Sequence, residues 1–210
     1  MAKQTPPHWD LTNVYPSLSS PKYAADFEKL QKNLAQLEKF AANTLAKLDA
    51  TAAPADLAKA AAKLIDTFND ILLTASTMRA YIASFTSTDS YNKEALKKES
   101  EFEQVMVKLD QLGTVATAWI GKVGKRLPEF IDLAKATKAH AFYLKEAAEQ
   151  SKYLMSPAEE ALASELTLSG ANAWSKLQGT VTSQLSVDFE LDGKMQKLPM
   201  PALINLRSHP

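Results

Sequence analysis

The chain's imidazoles are His8, His140 and His209. A helical zinc centre of the H-E-x-x-H kind needs two imidazoles four residues apart on one face, with the glutamate between them as general base. None of the three histidines has a second histidine or a carboxylate three or four residues away; around His140 those positions are Ala136, Thr137, Tyr143 and Leu144. Cysteine is absent, which excludes a thiolate nucleophile, a disulfide framework and a Cys-ligated zinc site. No G-x-G-x-x-G, G-x-S-x-G or Walker A spacing occurs; before Gly124-Lys125, Trp119 stands where a phosphate loop needs glycine. The expectation is a chain with no catalytic residue, no metal ligand and no cofactor of its own. Its pattern does not single out residues that touch a substrate.

The remaining polar clusters have structural readings. Lys122, Lys125, Arg126, Lys135 and Lys138 form a basic stretch, but Glu129 and Asp132 dilute it, so a solvated face is expected rather than an anion-steering patch. Glu101 and Glu103, like Glu159 and Glu160, are paired only in sequence, and Glu159 fits the electropositive start of a helix. Met78, Met106 and Met155 occupy apolar positions and are expected to fill core space. Gly113 to Ala118 is a run of small residues inside a helical pattern, which suits either close helix approach or a bend.

These residues sit in a chain of 210 residues, 46% hydrophobic and 23% charged, a composition that folds rather than staying disordered. With only 6 glycines and many Ala, Leu and Lys, the balance favours helix over sandwich or barrel. Lys plus Arg and Asp plus Glu each number 24; the resulting zero net charge argues against a nucleic-acid binder, whose affinity comes from phosphate neutralisation. No uncharged run approaches the roughly 20 apolar residues of a membrane span, and the start, Met1 to Pro7, lacks the apolar core of a secretory signal. A soluble, cytoplasmic protein that touches neither membrane nor nucleic acid is expected.

The elements follow from spacing. Residues 1–21 read as an extended arm pinned by Trp9, Leu11, Val14 and Tyr15, with Ser20-Pro21 as a helix start. Apolar residues then recur every three or four positions from Tyr23 to Leu48, from Leu57 to Phe85 after a start signal at Thr51 to Pro54, and from Phe102 to Val123. Three such helices joined by short loops must run up, down, up, and a repeat near 3.5 predicts shallow left-handed packing. At about 1.5 Å per residue each would be about 40 to 50 Å long. Pro128 starts a brief helix. His140 to Met155 reads as a helix through Phe142, Tyr143, Ala147 and Leu154. Ser156-Pro157-Ala158-Glu159 is a capping box, Gly170 breaks or ends the helix it starts, and Trp174 to Leu185 forms another. Ser186 to Leu191 and Lys194 to Leu198 alternate around Asp192-Gly193, a type I′ hairpin with Asp188 opposite Lys197. Pro201 to Arg207 looks like the opening of an apolar helix. The expected organisation is mainly all-α: an elongated antiparallel bundle of long helices with one β-hairpin near the C-terminus. It divides into an arm at 1–21, a helical lobe at 22–185, a hairpin at 186–198 and the start of a truncated following segment at 199–210.

Four local words add a family resemblance. Trp9-Asp10-Leu11-Thr12-Asn13-Val14-Tyr15-Pro16 is similar to the W-D-L-T-D-L-Y-P opening of oligoendopeptidase F-like zinc metallopeptidases, of the thimet oligopeptidase group. Tyr81 to Ser84 with Ser87-Thr88-Asp89 resembles their Y-x-x-S…S-T-D segment. Ala141 to Leu144 followed by Leu154 to Glu160 resembles F-Y-L…L-S-x-x-E-E, and Ser169 to Leu177 resembles S-G-x-x-A-W-x-x-L. The resemblance implies the N-terminal lobe of a larger enzyme that hydrolyses peptide bonds in short peptides. Its catalytic half, with H-E-x-x-H, a downstream Glu ligand and one zinc ion, would follow; none of those residues is present here. The implied partners are that C-terminal catalytic domain and oligopeptide substrates. An apolar face left uncovered would also favour a homodimer of the chain. The competing reading is a self-contained helical scaffold or adaptor that binds partner helices.

Overall fold

The computed structural model describes residues 9–208. Helix α1 spans Pro21–Asn43, α2 Pro54–Thr86 and α3 Lys93–Val123. Each packs on the other two, so the connections turn the chain up, down and up as expected. Ser20 caps α1: its Oγ accepts from Tyr23 N at 3.3 Å and donates to the Ser17 carbonyl at 2.7 Å. Asn92 does the same for α3, accepting from Ala95 N at 3.0 Å. Leu30, Leu34 and Leu37 of α1, Leu57, Ile71 and Met78 of α2, and Phe102, Leu109 and Val123 of α3 form the buried seam. Each large apolar side chain so buried stabilises the fold by roughly 1.5–3 kcal/mol.

Two boundaries differ from the spacing. The apolar pattern runs on to Leu48, but α1 stops at Asn43, where Asn43-Thr44 favour local hydrogen bonding over helix, and Leu45–Lys47 form a 3₁₀ turn. At 23 residues α1 is therefore about 35 Å long, short of the expected range. The start signal at Thr51 is also used differently. Thr51 N and Oγ1 both donate to Asp49 Oδ1, at 2.7 and 2.6 Å, and α2 begins behind Ala53 with no side-chain cap.

Beyond α3 the elements shorten: α4 Leu127–Phe130, α5 Lys135–Ala139 and α6 Ala141–Gln150, the last ending in a 3₁₀ turn at Ser151–Tyr153. α4 and α5 lie on α2, and α6 lies on α3. In α6 the buried positions are Leu144 and Ala147, whereas Phe142 is 78% exposed and Tyr143 half exposed. Close approach occurs where α3 meets α6: a Cβ on Gly121 would collide with the Ser151 side chain, and one on Gly124 would lie 2.9 Å from Ala148 Cβ. At Gly113, inside the run of small residues, nothing lies within 4 Å, and the helix passes through it unbroken.

α7 spans Pro157–Thr167 and begins in the expected capping box, with Ser156 N donating to Glu159 Oε2 at 2.9 Å. Gly170 does not end the helix. It sits in a π-helical turn, Leu168–Asn172, that carries α7 directly into α8, Ala173–Gln184. The hairpin follows as β1 Ser186–Leu191 and β2 Lys194–Pro199, with Asp188 opposite Lys197. Asp192 and Gly193 adopt φ of 53° and 72°, the two left-handed residues a type I′ turn requires. α9, Met200–Asn205, ends the described chain with a 3₁₀ turn and is tied back by Met200 N to the Leu185 carbonyl at 3.0 Å. No helix among the described residues is long and apolar enough to cross a membrane.

The N-terminal arm is fastened by aromatic rings. Tyr15 and Leu18 are buried, Leu11 and Val14 pack against the core, and Trp9, expected to pin the arm, is 81% exposed. Tyr15 meets Tyr23 and Tyr81 edge-on at 5.4 and 5.0 Å. Its hydroxyl donates to Asp26 Oδ2 at 2.9 Å, and its buried carbonyl accepts from the Tyr81 hydroxyl at 2.8 Å. Tyr23 Oη, by contrast, is buried with no hydrogen-bond partner among the described residues. Tyr81→Phe is expected to cost about 1–3 kcal/mol by stranding that carbonyl, whereas Tyr23→Phe should be neutral or slightly stabilising. Burial pushes the Tyr23 phenol up to about 12. Unfolded, it ionises near 10. Its contribution is thus intact below pH 10 and is lost as the pH rises through that window, because the unfolded state sheds the proton first. Urea midpoints measured across that range should fall less steeply for Tyr23→Phe than for the parent; equal slopes would contradict the assignment.

Candidate functional site

Among the described residues, the side chains singled out by the sequence make the following contacts. His140 is half-buried between α5 and α6; its Nδ1 lies 3.0 Å from the Ala136 carbonyl and its Nε2 3.5 Å from Asn69 Nδ2. His8 and His209 lie outside the described residues. Among the described residues no group of three or more His, Asp or Glu is placed to hold a metal ion. Arg126, the centre of the basic stretch, grips Glu129 through two bonds of 2.6 and 2.8 Å and donates to the Ala50 carbonyl and, at 3.3 Å, to that of Ala52. It therefore ties the α1–α2 loop to α4. Lys138 pairs with Asp132 at 3.4 Å, and Lys122, Lys125 and Lys135 are exposed.

The carboxylates are likewise engaged. Glu101 pairs with Lys98 at 2.9 Å, and Glu159 closes the capping box. Glu160 Oε1 accepts from Met155 N at 2.9 Å. The fixed hydroxyl and amide of Ser156 hold the Glu159 carboxyl below the usual carboxylate range. Met78 is buried and Met106 half-buried, but Met155 is 50% exposed, a correction to its expected core role. It lines a cavity of about 540 Å³ with Leu45, Val115, Ala118 and Trp119. The small residues of α3 open this space beneath the loop that precedes α7.

Two of the local words meet in space. Trp9, Leu11 and Pro16 from the first and Tyr81, Ser84 and Thr88 around the second line one cleft of about 690 Å³. Periodicity alone gives no sign of this meeting, because it depends on the arm doubling back over the C-terminal half of α2.

A run of exposed apolar side chains lies along α7 and α8. No described residue beyond Ala147 is buried. Leu162 and Leu166 on α7, then Trp174, Leu177 and Val181 on α8 and Leu185 just after it, are all exposed, Trp174 by 69%. In an uninterrupted α-helix, the eight residues from Leu166 to Trp174 would turn the stripe about 80° out of line at 100° per residue. The π turn absorbs one residue. The step then counts as seven, two full turns, and the six side chains form a single stripe. Such a contiguous apolar face is the mark of a surface that another molecule covers.

Residues 125–186 match the family model described as Oligopeptidase F, for the N-terminal domain of that peptidase family. Over this stretch the chain is oligoendopeptidase F-like. The stretch covers under half of the chain; it runs from Lys125, beside the Arg126 tie, to Ser186, the first residue of β1, and contains all of α7 and α8. The third and fourth local words fall inside the oligopeptidase F match, and the first two, at the arm and the end of α2, fall outside it. No curated protein and no solved structure matches the chain.

Proposed function

We propose that the chain is the N-terminal, substrate-channel lobe of a zinc-dependent oligoendopeptidase acting on short peptides, and that a separate catalytic half covers the stripe on α7 and α8. One coincidence carries the reading: the segment that matches oligopeptidase F contains the whole of that exposed stripe. The described residues do not fit a zinc ion, since they offer no converging set of imidazole and carboxylate donors. Metal and general base therefore belong to the other half in this reading, and no hydrolytic step is assigned to residues of this chain. Its part is to form one wall of a channel that admits short peptides and excludes folded proteins.

The reading is tested by following the coding sequence beyond codon 210 and by assay. A reading frame that continues into H-E-x-x-H supports it. So does a zinc-loaded catalytic polypeptide whose cleavage of a quenched fluorescent peptide rises on addition of this chain, while the chain alone cleaves nothing. Robust turnover or stoichiometric zinc in the isolated chain would refute it. A stop codon at that point would instead favour a self-contained scaffold that uses the stripe to bind a partner helix.

A further inference from the structure

α8 is tied to the bundle through Lys176, its one charged residue. Lys176 Nζ lies 2.7 Å from Glu103 Oε2 and 3.7 Å from Glu99 Oε2 on α3, with Ser100 Oγ at 3.4 Å. Glu99 and Glu103 are one helical turn apart on the same face, so the ammonium docks between two carboxylates. All three side chains are about one-third exposed or less, which makes this the least solvated ion pair with α8. Just before Lys176 the chain passes through the π turn. There Gly170 has open space on its Cβ side, and the backbone takes the rare i→i+5 pattern that interrupts the α-helical ladder. α7, upstream of the turn, packs on α3; downstream, α8, the hairpin and α9 chiefly contact one another.

We propose that Leu168–Asn172 is a hinge and that Lys176 is its latch. Lys176 bound between Glu99 and Glu103 fixes the angle at which α8 and the hairpin stand from the bundle; releasing it lets them swing as one lever about Gly170. This concerns the chain by itself and holds whether or not a catalytic half covers the stripe.

The absence of cysteine permits a clean test on the full 210-residue chain. Gln104→Cys on α3 and Gln184→Cys at the end of α8, both at exposed sites, take a spin-label pair for pulsed distance measurement. The parent pair should give one narrow distance. Lys176→Gln should raise the released population about fivefold, as expected for losing two partly shielded ion pairs, and broaden the distribution. About 1 M salt, which shortens the screening length to about 3 Å, should do the same to the parent and little to Lys176→Gln. The swapped pair Lys176→Glu with Glu103→Lys should recover the narrow peak. Gly170→Ala, for which the structure has room, should sharpen the Lys176→Gln distribution by stiffening the turn. An unchanged distance in Lys176→Gln would overturn the latch, and a distribution that Gly170→Ala leaves equally broad would overturn the hinge.

Discussion

Gly121→Ala should lower the thermal midpoint of the chain by about 4–8 °C, while Gly113→Ala, eight residues earlier on the same helix, should raise it. The two substitutions add the same methyl group to the same α3, and their intrinsic helix-propensity gain is equal, about 0.5–1 kcal/mol. They differ in what the methyl meets. At Gly113 it points into open space, so the propensity gain stands alone. At Gly121 it runs into the Cβ and Oγ of Ser151, whose hydroxyl is held by a 2.7 Å bond to the Ala148 carbonyl. Cβ cannot rotate away, so the turn after α6 must lift from α3. Overpacking of this kind costs about 1–3 kcal/mol. It also loosens the contact that keeps Leu144 and Ala147 dry. For a domain of this size a loss of 2 kcal/mol is worth roughly 4–8 °C. Differential scanning calorimetry of both variants settles the matter; equal shifts of the same sign would mean that α6 does not sit where the structure places it.

The second large effect concerns association. Changing Trp174, Leu177 and Val181 together to glutamate should cost the bundle's unfolding transition no more than about 1.5 kcal/mol, about 0.5 kcal/mol per site, because all three side chains are about half exposed or more and none is in the buried core. The same triple change should weaken capture of the proposed catalytic half by at least about a hundredfold. Burying a tryptophan, a leucine and a valine contributes several kcal/mol, and forcing three carboxylates into that contact reverses the sign. Titration of a dye-labelled chain with the catalytic polypeptide, read by fluorescence anisotropy, gives both affinities. An affinity the triple change leaves intact would show that α8 is not the docking face. Light scattering on the parent alone reports whether the stripe also pairs two copies, and the triple change should abolish any such dimer.

Much of the architecture can be read from spacing because spacing is what a helix obeys. The three- and four-residue steps through Leu30, Leu64 and Leu109 decide which side chains share a face, and a face that long must be covered. Asp192-Gly193 specifies the hairpin because few other dipeptides hold two successive left-handed residues. Ser156 and Glu159 mark the start of α7 through a reciprocal bond local to four residues.

The failures are of one kind. Trp9 and Met155 are apolar, yet an apolar residue type does not by itself say how deeply a side chain is buried. Gly121 and Gly113 look alike in the sequence because closeness to Ser151 arises only when α6 returns. Gly170 carries the usual sign of a helix end, and the chain instead widens by one residue per turn and continues. The candidate surface is the least legible part, since spacing places Trp174 to Leu185 on a helix without showing which of its sides stays bare. The family words located the right stretch without indicating which of its sides is open.

The widened turn at Leu168–Asn172 also behaves as a buffer for chain length. A residue added to or removed from a solvent loop changes only that loop. Here, removing one residue would restore the narrower pitch without breaking the rod, and Trp174 would stay in line with Leu166, because seven residues of ordinary helix make two full turns. A one-residue deletion at this point is therefore taken up by the pitch of the turn, and the stripe keeps its direction across the junction of α7 and α8.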